Sequence, residues 1–412
     1  MRVVVLGAGI AGITAAWYLA AGGAEVTVIE RGTEPASETS HANGGHISTQ
    51  SGVPWTGPSG LRAFLTRRFN SAETIRLLHT RDPGRLDWYL RALSASRPSA
   101  YRRAAIALLK LAQFSRSLFD ELVAEQNLDL CLEARGTLDL YRSRRAFARA
   151  HARRSKGVES LSPREILARE PALANAAVHP VGALYYPGDA TGDCRRFCIQ
   201  LGERARDAGV TFRYGESVRG LVVARDGCRG VATDGGTFEA DACVVALGAW
   251  SASFLRRYGL RLPVLPLRGY TLTAPIGADA PAPGRFVDAE RHIVGARLDT
   301  HFRAAGMADF MGLEAGNYDR RKAVLERIVR EWYPALPRNG TEFWSCLRPI
   351  TPDGPPILGA SGIEGLWLNT GLGPLGWTLG CGAGQIVADL VLGKKPPIPL
   401  AGLTRTRFHR FG

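Results

Sequence analysis

The chain has 412 residues, of which 45% are hydrophobic, enough for two domains sharing one large interface and ordinary for a globular protein. No apolar run is long enough to span a bilayer, and Met1-Arg2 lead directly into an apolar strand, so the reading is a cytoplasmic chain without a secretory leader. The formal charge of +14 is uneven, with 19 Lys+Arg against 9 Asp+Glu between Leu61 and Arg154, and the seven cysteines form no CxxC pair or His-linked metal spacing, which predicts core thiols and no metal centre.

The first element is the apolar run Val3-Val4-Val5-Leu6, followed by Gly7-Ala8-Gly9-Ile10-Ala11-Gly12, a helix-patterned stretch, and a second apolar run that ends at Glu30. This is the pattern of a dinucleotide-binding βαβ unit. Gly7 permits the sharp turn, Gly9 lets backbone N–H groups approach a pyrophosphate, and Gly12 lets the helix pack on the sheet, with the helix N-terminus facing the phosphates. Glu30 is placed to accept from a ribose 2′-OH, and an acid there argues against a 2′-phosphate, leaving FAD or NAD.

Residues 31–60 are rich in Gly, Ser, Thr and Pro and read as loop, whereas 61–130 read as mostly helical. The basic amphipathic part, 61–110, fits contact with an anionic membrane surface, and equally a solvated face of ordinary packed helices. Nucleic acid is not expected, because no stacking-aromatic or helix-turn-helix signature accompanies the charge. Further on, the pattern predicts a strand at 136–141, a helix at 162–169 and a helix from Asp193 to Ala208 ended by Gly209. Strands follow at 210–214, 217–224, 230–233 and 242–247, the last running into Gly248-Ala249-Trp250. From Pro263 to Met311, Pro and Gly residues divide the sequence into short predicted strands, suggesting an antiparallel sheet; then come a helix ending at Trp332, a strand at 342–347, a strand at 366–371 and a helix over about 375–392.

Four blocks then carry a family resemblance: Val4-Leu-Gly-Ala-Gly with Glu30, Glu38-Thr-Ser-His-Ala-Asn-Gly-Gly-His-Ile-Ser48, Asp241-Ala-Cys-Val-Val-Ala-Leu-Gly-Ala-Trp-Ser251, and Leu347-Arg-Pro-Ile-Thr-Pro-Asp-Gly354 with Asn369-Thr-Gly-Leu-Gly-Pro-Leu-Gly-Trp-Thr378. With these the chain resembles the D-amino-acid oxidase-like FAD-dependent oxidoreductases, most of all their D-amino-acid dehydrogenase small subunits. The resemblance implies an α/β (α+β) fold in which a Rossmann-like FAD-binding domain (1–85, 160–250, 340–412) is interleaved with a substrate domain (86–159, 251–339) built on a mixed or antiparallel sheet plus helices. It implies FAD rather than NAD. The reaction it implies is oxidation of a small-molecule D-amino acid by hydride transfer from Cα to flavin N5, with hydrolysis to the 2-oxo acid and ammonia and with electrons leaving to a quinone-type acceptor at the inner face of the membrane. Rivals are a glycine/sarcosine- or D-hydroxyproline-type amine oxidase or dehydrogenase and, in another class, an RNA-associated flavoprotein.

The same resemblance implies site roles. Gly7, Gly9, Ile10, Ala11, Gly12, Glu30, Arg31, Gly248 and Trp250 are expected at the cofactor, Ser40, Asn43, Gly44 and Gly45 in a second flavin loop, and Val218 with its backbone at the adenine. Gly371, Gly373, Leu375, Gly376, Trp377 and Thr378 precede or open a helix whose N–H groups can stabilise negative charge on a reduced flavin. Leu372 and Pro374 depart from the relatives, which commonly carry His and a small polar residue there. Arg348 is expected to bind the substrate carboxylate as a two-pronged donor, with Tyr270 adding a hydroxyl, Arg303 a second cation and His46 a group near the flavin face. His41 raises covalent flavin attachment as a further expectation.

Overall fold

The computed structural model describes residues 1–50, 52, 54, 57, 74–77, 84–278, 280, 282, 284–313, 316 and 318–411. The segments 61–73 and 78–83 of the expected basic helical stretch lie outside them.

Strand Arg2–Leu6 sits within a six-stranded sheet ordered Ile357–Ala360, Leu366–Thr370, Ala242–Val245, Arg2–Leu6, Glu25–Glu30, Thr211–Tyr214. Neighbours run parallel except Ile357–Ala360, which is antiparallel to Leu366–Thr370. Both faces of the central strands are covered, which is why Val3 to Leu6 and Ala242 to Val245 are apolar throughout and do not alternate. Helices Ile10–Ala21, Cys194–Asp207 and Gly376–Val391 bury one face, and the long helix Pro98–Glu125 packs outside the last of these through Leu108, Leu111 and Phe119. The other face carries the three-stranded sheet Val218–Ala224, Gly227–Thr233 and Gly236–Glu239.

A second, nine-stranded mixed sheet is ordered Glu342–Ile350, Leu265–Pro275, His301–Phe310, Ile293–Leu298, Arg285–Asp288, Thr137–Tyr141, Gly182–Tyr186, Glu159–Leu161, with Ile75–Leu77 beside His301–Phe310. Helix Asp319–Trp332 covers one of its faces, packing Leu325, Ile328, Val329 and Trp332 among Tyr270, Phe286 and Phe302. The expectation of short strands over 263–311 needs correction, since Leu265–Pro275 and His301–Phe310 are 11 and 10 residues long. Their glycines mark close approach of side chains, not turns: a Cβ at Gly269 would lie 2.3 Å from Cζ of Arg348, and one at Gly306 would lie 2.4 Å from Cδ1 of Ile293.

Candidate active site

Helix Ile10–Ala21 begins at Gly9 with no side-chain cap and no acid in its first turn, so its positive end is left to the space in front of it. The helix reaches that position because Gly12 has no side chain: a Cβ there would stand 1.8 Å from the carbonyl oxygen of Gly7. Glu30 ends the next strand, buried, and its carboxylate accepts from the N–H groups of Ala8 and Gly32, each at 2.8 Å. A cavity of about 460 Å³ opens here, walled by Gly7, Gly9, Ile10, Ala11, Glu30, Arg31, Ser40, Val218, Gly248, Trp250, Gly373 and Gly376. The Arg31 guanidinium lies over the Trp250 ring, 4.1 Å from its centroid, and Ser40 Oγ accepts from Ile10 N–H at 3.0 Å.

A second cavity, of about 340 Å³, shares Ile10, Thr39, Ser40, Gly373 and Gly376 with the first, so the two are ends of one cleft. Its roof includes Asn43, Gly44, His46, Leu375 and Trp377. Gly44 lies so close to the sheet that a Cβ would fall 2.5 Å from Cγ2 of Val294, and Asn43 Oδ1 holds the loop by accepting from Gly45 N–H at 2.9 Å. The turn Gly373–Leu375 leads into helix Gly376–Val391, which again starts without a side-chain cap or an acid, so a second helix N-terminus faces the shared part of the cleft.

The floor of this second cavity is one row of cross-strand neighbours, Thr271–Ala305–Val294–Val287–Asp139. Arg348 closes one end and donates from Nη1 to the carbonyl oxygen of Met307 at 2.9 Å. The register of the paired strands shifts between Arg268 and Tyr270, opposite Met307, which takes a left-handed φ of 61°. His46 is enclosed, its Nε2 has no partner, and burial together with the Arg285 charge holds the imidazole well below its ordinary pKa, hence neutral. Asp139 is pushed up to about 7 by burial first and by Asp189 next, against the pull of Arg285 and a hydrogen bond from Tyr186.

Two expectations are corrected by these placements. Tyr270 points to the opposite face of its strand, fully buried, with its hydroxyl donating to Asp309 Oδ2 at 2.7 Å and its ring stacked on Phe343. It lines neither cavity: Tyr270, Leu272 and Ala274 pack with helix Asp319–Trp332, while Thr271 between them lines the cleft. Arg303 is on the cleft side but lies outside both cavity walls, with Nη2 3.3 Å from Asp193 Oδ2. Gly12, Gly45, Gly371 and Thr378 also stand behind the walls; Thr378 Oγ1 accepts from Ser48 N–H at 2.9 Å and so fixes the roof. His41 lines neither cavity and stacks on Trp344, ring centroids 4.1 Å apart. Missed from the sequence were the apolar floor and Asp139, although an acid between two leucines in Thr137-Leu-Asp-Leu-Tyr141 was a readable signal.

The FAD-dependent oxidoreductase family model (DAO) matches residues 2–390, and the chain belongs to that family. It is 40% identical over 419 residues, 99% of each chain, to a D-amino acid dehydrogenase of Allorhizobium ampelinum. Among solved structures it is similar to glycine oxidase from Geobacillus kaustophilus, with TM-score 0.75 and 23% identity over 98% of this chain and 99% of that one. It is also similar to L-proline dehydrogenase from P. horikoshii, with TM-score 0.74 and 18% identity over 99% and 98%. The protein is thus a flavin oxidoreductase, and the resident cofactor is FAD. The residues present fit that group: two connected cavities, Gly7, Gly9, Gly44, Gly373 and Gly376 along their walls, two helix N-termini with no acid in the first turn, and a buried acid at one end.

Proposed function

We propose that this chain oxidises a D-amino acid to the 2-oxo acid and ammonia and passes the electrons to a quinone-type acceptor. The observation that carries the reading is the Arg348 guanidinium at the end of the cleft that the two helix N-termini face. Gly7, Gly9, Ile10, Ala11, Glu30, Arg31, Ser40, Gly44, Val218, Trp250, Gly373 and Gly376 hold FAD, which when bound supplies the two-electron acceptor for the hydrogen on the substrate Cα. Arg348 orients the substrate: one nitrogen is tied to Met307, which sets the plane of the fork, and the others meet the carboxylate. Neutral His46, a residue of the cavity wall, adds no positive charge to oppose the substrate amine. The relative named D-amino acid dehydrogenase supports the substrate class.

Anaerobic mixing with a panel of D- and L-amino acids and N-methylated amines tests this. Bleaching of the flavin by D-amino acids is expected, and bleaching by L-amino acids or N-methylated amines alone overturns it. The acceptor is tested separately by reoxidation: fast peroxide formation in air would replace the quinone by oxygen.

We place the acceptor side at an anionic membrane surface. Among the described residues no helix is long and apolar enough to cross a membrane. Helix Arg85–Ala95 instead exposes Leu86, Leu90 and Leu93 along one face, and helix Pro98–Glu125 exposes Ile106 and Leu109 beside Arg102, Arg103 and Lys110. Between residues 85 and 119 there are seven basic residues and a single acid, Asp87. The buried face of the first helix packs Trp88 and Ala92 with Ile75 and Ala308, two residues of the cavity wall. Sedimentation with phosphatidylglycerol vesicles should retain the protein at low salt and lose the Leu86→Asp/Leu90→Asp variant.

A further inference from the structure

The far end of the substrate cavity holds a carboxyl group that the reaction does not use. Asp139 shares the wall with Arg348, but the two are separated by the apolar stretch Ala305–Val294–Val287. Its surroundings explain why it is available. Asp189, the nearest like charge, is committed: its Oδ1 accepts from Thr49 and Gln50 N–H at 2.9 and 3.0 Å, and its Oδ2 lies 3.9 Å from Arg285 Nη2. Arg291, another cation of the wall, is bound to Glu331 at 2.8 and 2.9 Å. The other titratable groups described around Asp139 are Arg285, whose charge acts on it as well as on Asp189, Tyr186, which hydrogen-bonds it, and Tyr141, with both tyrosines raised by burial, and the cavity-lining His46 and His292, both shifted below their ordinary value by burial and therefore neutral. No Lys, Arg or His among the described residues forms an ion pair with Asp139.

We infer that Asp139 reads the end of the substrate side chain, so that the preferred D-amino acids carry a cationic or hydrogen-bond-donating group on an aliphatic stem. The inference rests on the carboxylate-binding role given to Arg348. Its guanidinium reaches the strand of Met307, and that strand is three inter-strand steps from Asp139, roughly 14 Å at about 4.8 Å each. Contacts of about 3 Å at either end leave roughly 8 Å, the span from carboxylate to terminal amine in an extended lysine-like chain. The stem then lies on Ala305, Val294 and Val287, which offer methyl groups and no polar atom. The same distance rules Asp139 out as the acceptor of the α-amino proton, because the amine is one carbon from the carboxylate that Arg348 holds.

The test compares kcat/KM for D-lysine, D-ornithine and D-norleucine in the wild-type holoenzyme and in Asp139→Asn, with flavin content checked in both. The wild type should favour the amine-ended substrates over D-norleucine, and Asp139→Asn should lower that ratio at least about tenfold. Equal ratios in the two proteins would overturn the inference. A second reading needs no variant. In the wild type the ratio should climb as pH rises through about 7, where Asp139 ionises while the side-chain amine stays cationic, and the α-amine contribution cancels between substrates. A ratio flat across that range would also overturn it. Flavin that no D-amino acid reduces would instead sink the parent reading, a result distinct from turnover without discrimination.

Discussion

The two sheets that enclose the cleft handle charge in different ways. The six-stranded sheet meets its ligand with backbone: glycines, two helix N-termini and, at the end of a central strand, the buried acid Glu30, whose oxygens are taken up by N–H groups. The nine-stranded sheet buries side-chain ions. Asp309 accepts from both Tyr270 and Arg321, Asp288 takes Arg142 and the Trp332 indole, and Arg303 meets Asp193. Backbone donors are carried by every residue type except proline, which suits a group common to a whole family. Buried ion pairs lose several kcal/mol when one partner is deleted, yet they can be exchanged residue by residue, which suits a surface that must fit a particular substrate.

This contrast can be broken most severely at Gly12. Any side chain there collides with the Gly7 carbonyl, and Gly12→Val is expected to yield protein without bound flavin, seen as loss of visible absorbance. Arg348→Ala comes next: the coloured holoenzyme should form, with kcat/KM for D-amino acids down by about a thousandfold, roughly 4 kcal/mol. A colourless Arg348→Ala protein would show that the two halves are not separable. Asp309→Asn leaves Arg321 short of its counter-charge in a closed environment and should destabilise the fold by about 3 kcal/mol while flavin still binds, measured by thermal unfolding and absorbance together. The last effect is electrostatic and is read as a trend with pH. The Asp139 carboxyl is raised from 3.8 to about 7, so the folded state holds this proton more tightly than the unfolded chain; its contribution is full below 3.8, falls as pH rises toward about 7 and is level above. Asp139→Asn should therefore gain stability relative to the wild type across that window, as read by denaturant midpoints at several pH values.

What the sequence disclosed follows the same divide. Gly7 to Glu30 could be placed because turn, helix start and strand end are set within thirty residues by local backbone rules. Tyr270 could not, because every residue from Leu265 to Ala274 is buried, and with both faces covered the alternation that would tell cleft side from core side disappears. Arg303 was on the correct side but one row away, a matter of register that depends on its partner strands. Asp139 needed three strands distant in sequence to bring it into line with Ala305.

Met307 gives the cleft a property that no side chain supplies. A methionine held at a φ of 61° stores about 1–3 kcal/mol of conformational strain, and that strain turns its carbonyl toward Arg348. The direction of the guanidinium is thus set by a stressed peptide unit in the next strand but one and does not depend on a second charged residue. Selection for a tougher fold and selection for accurate aim pull in opposite directions at this one position.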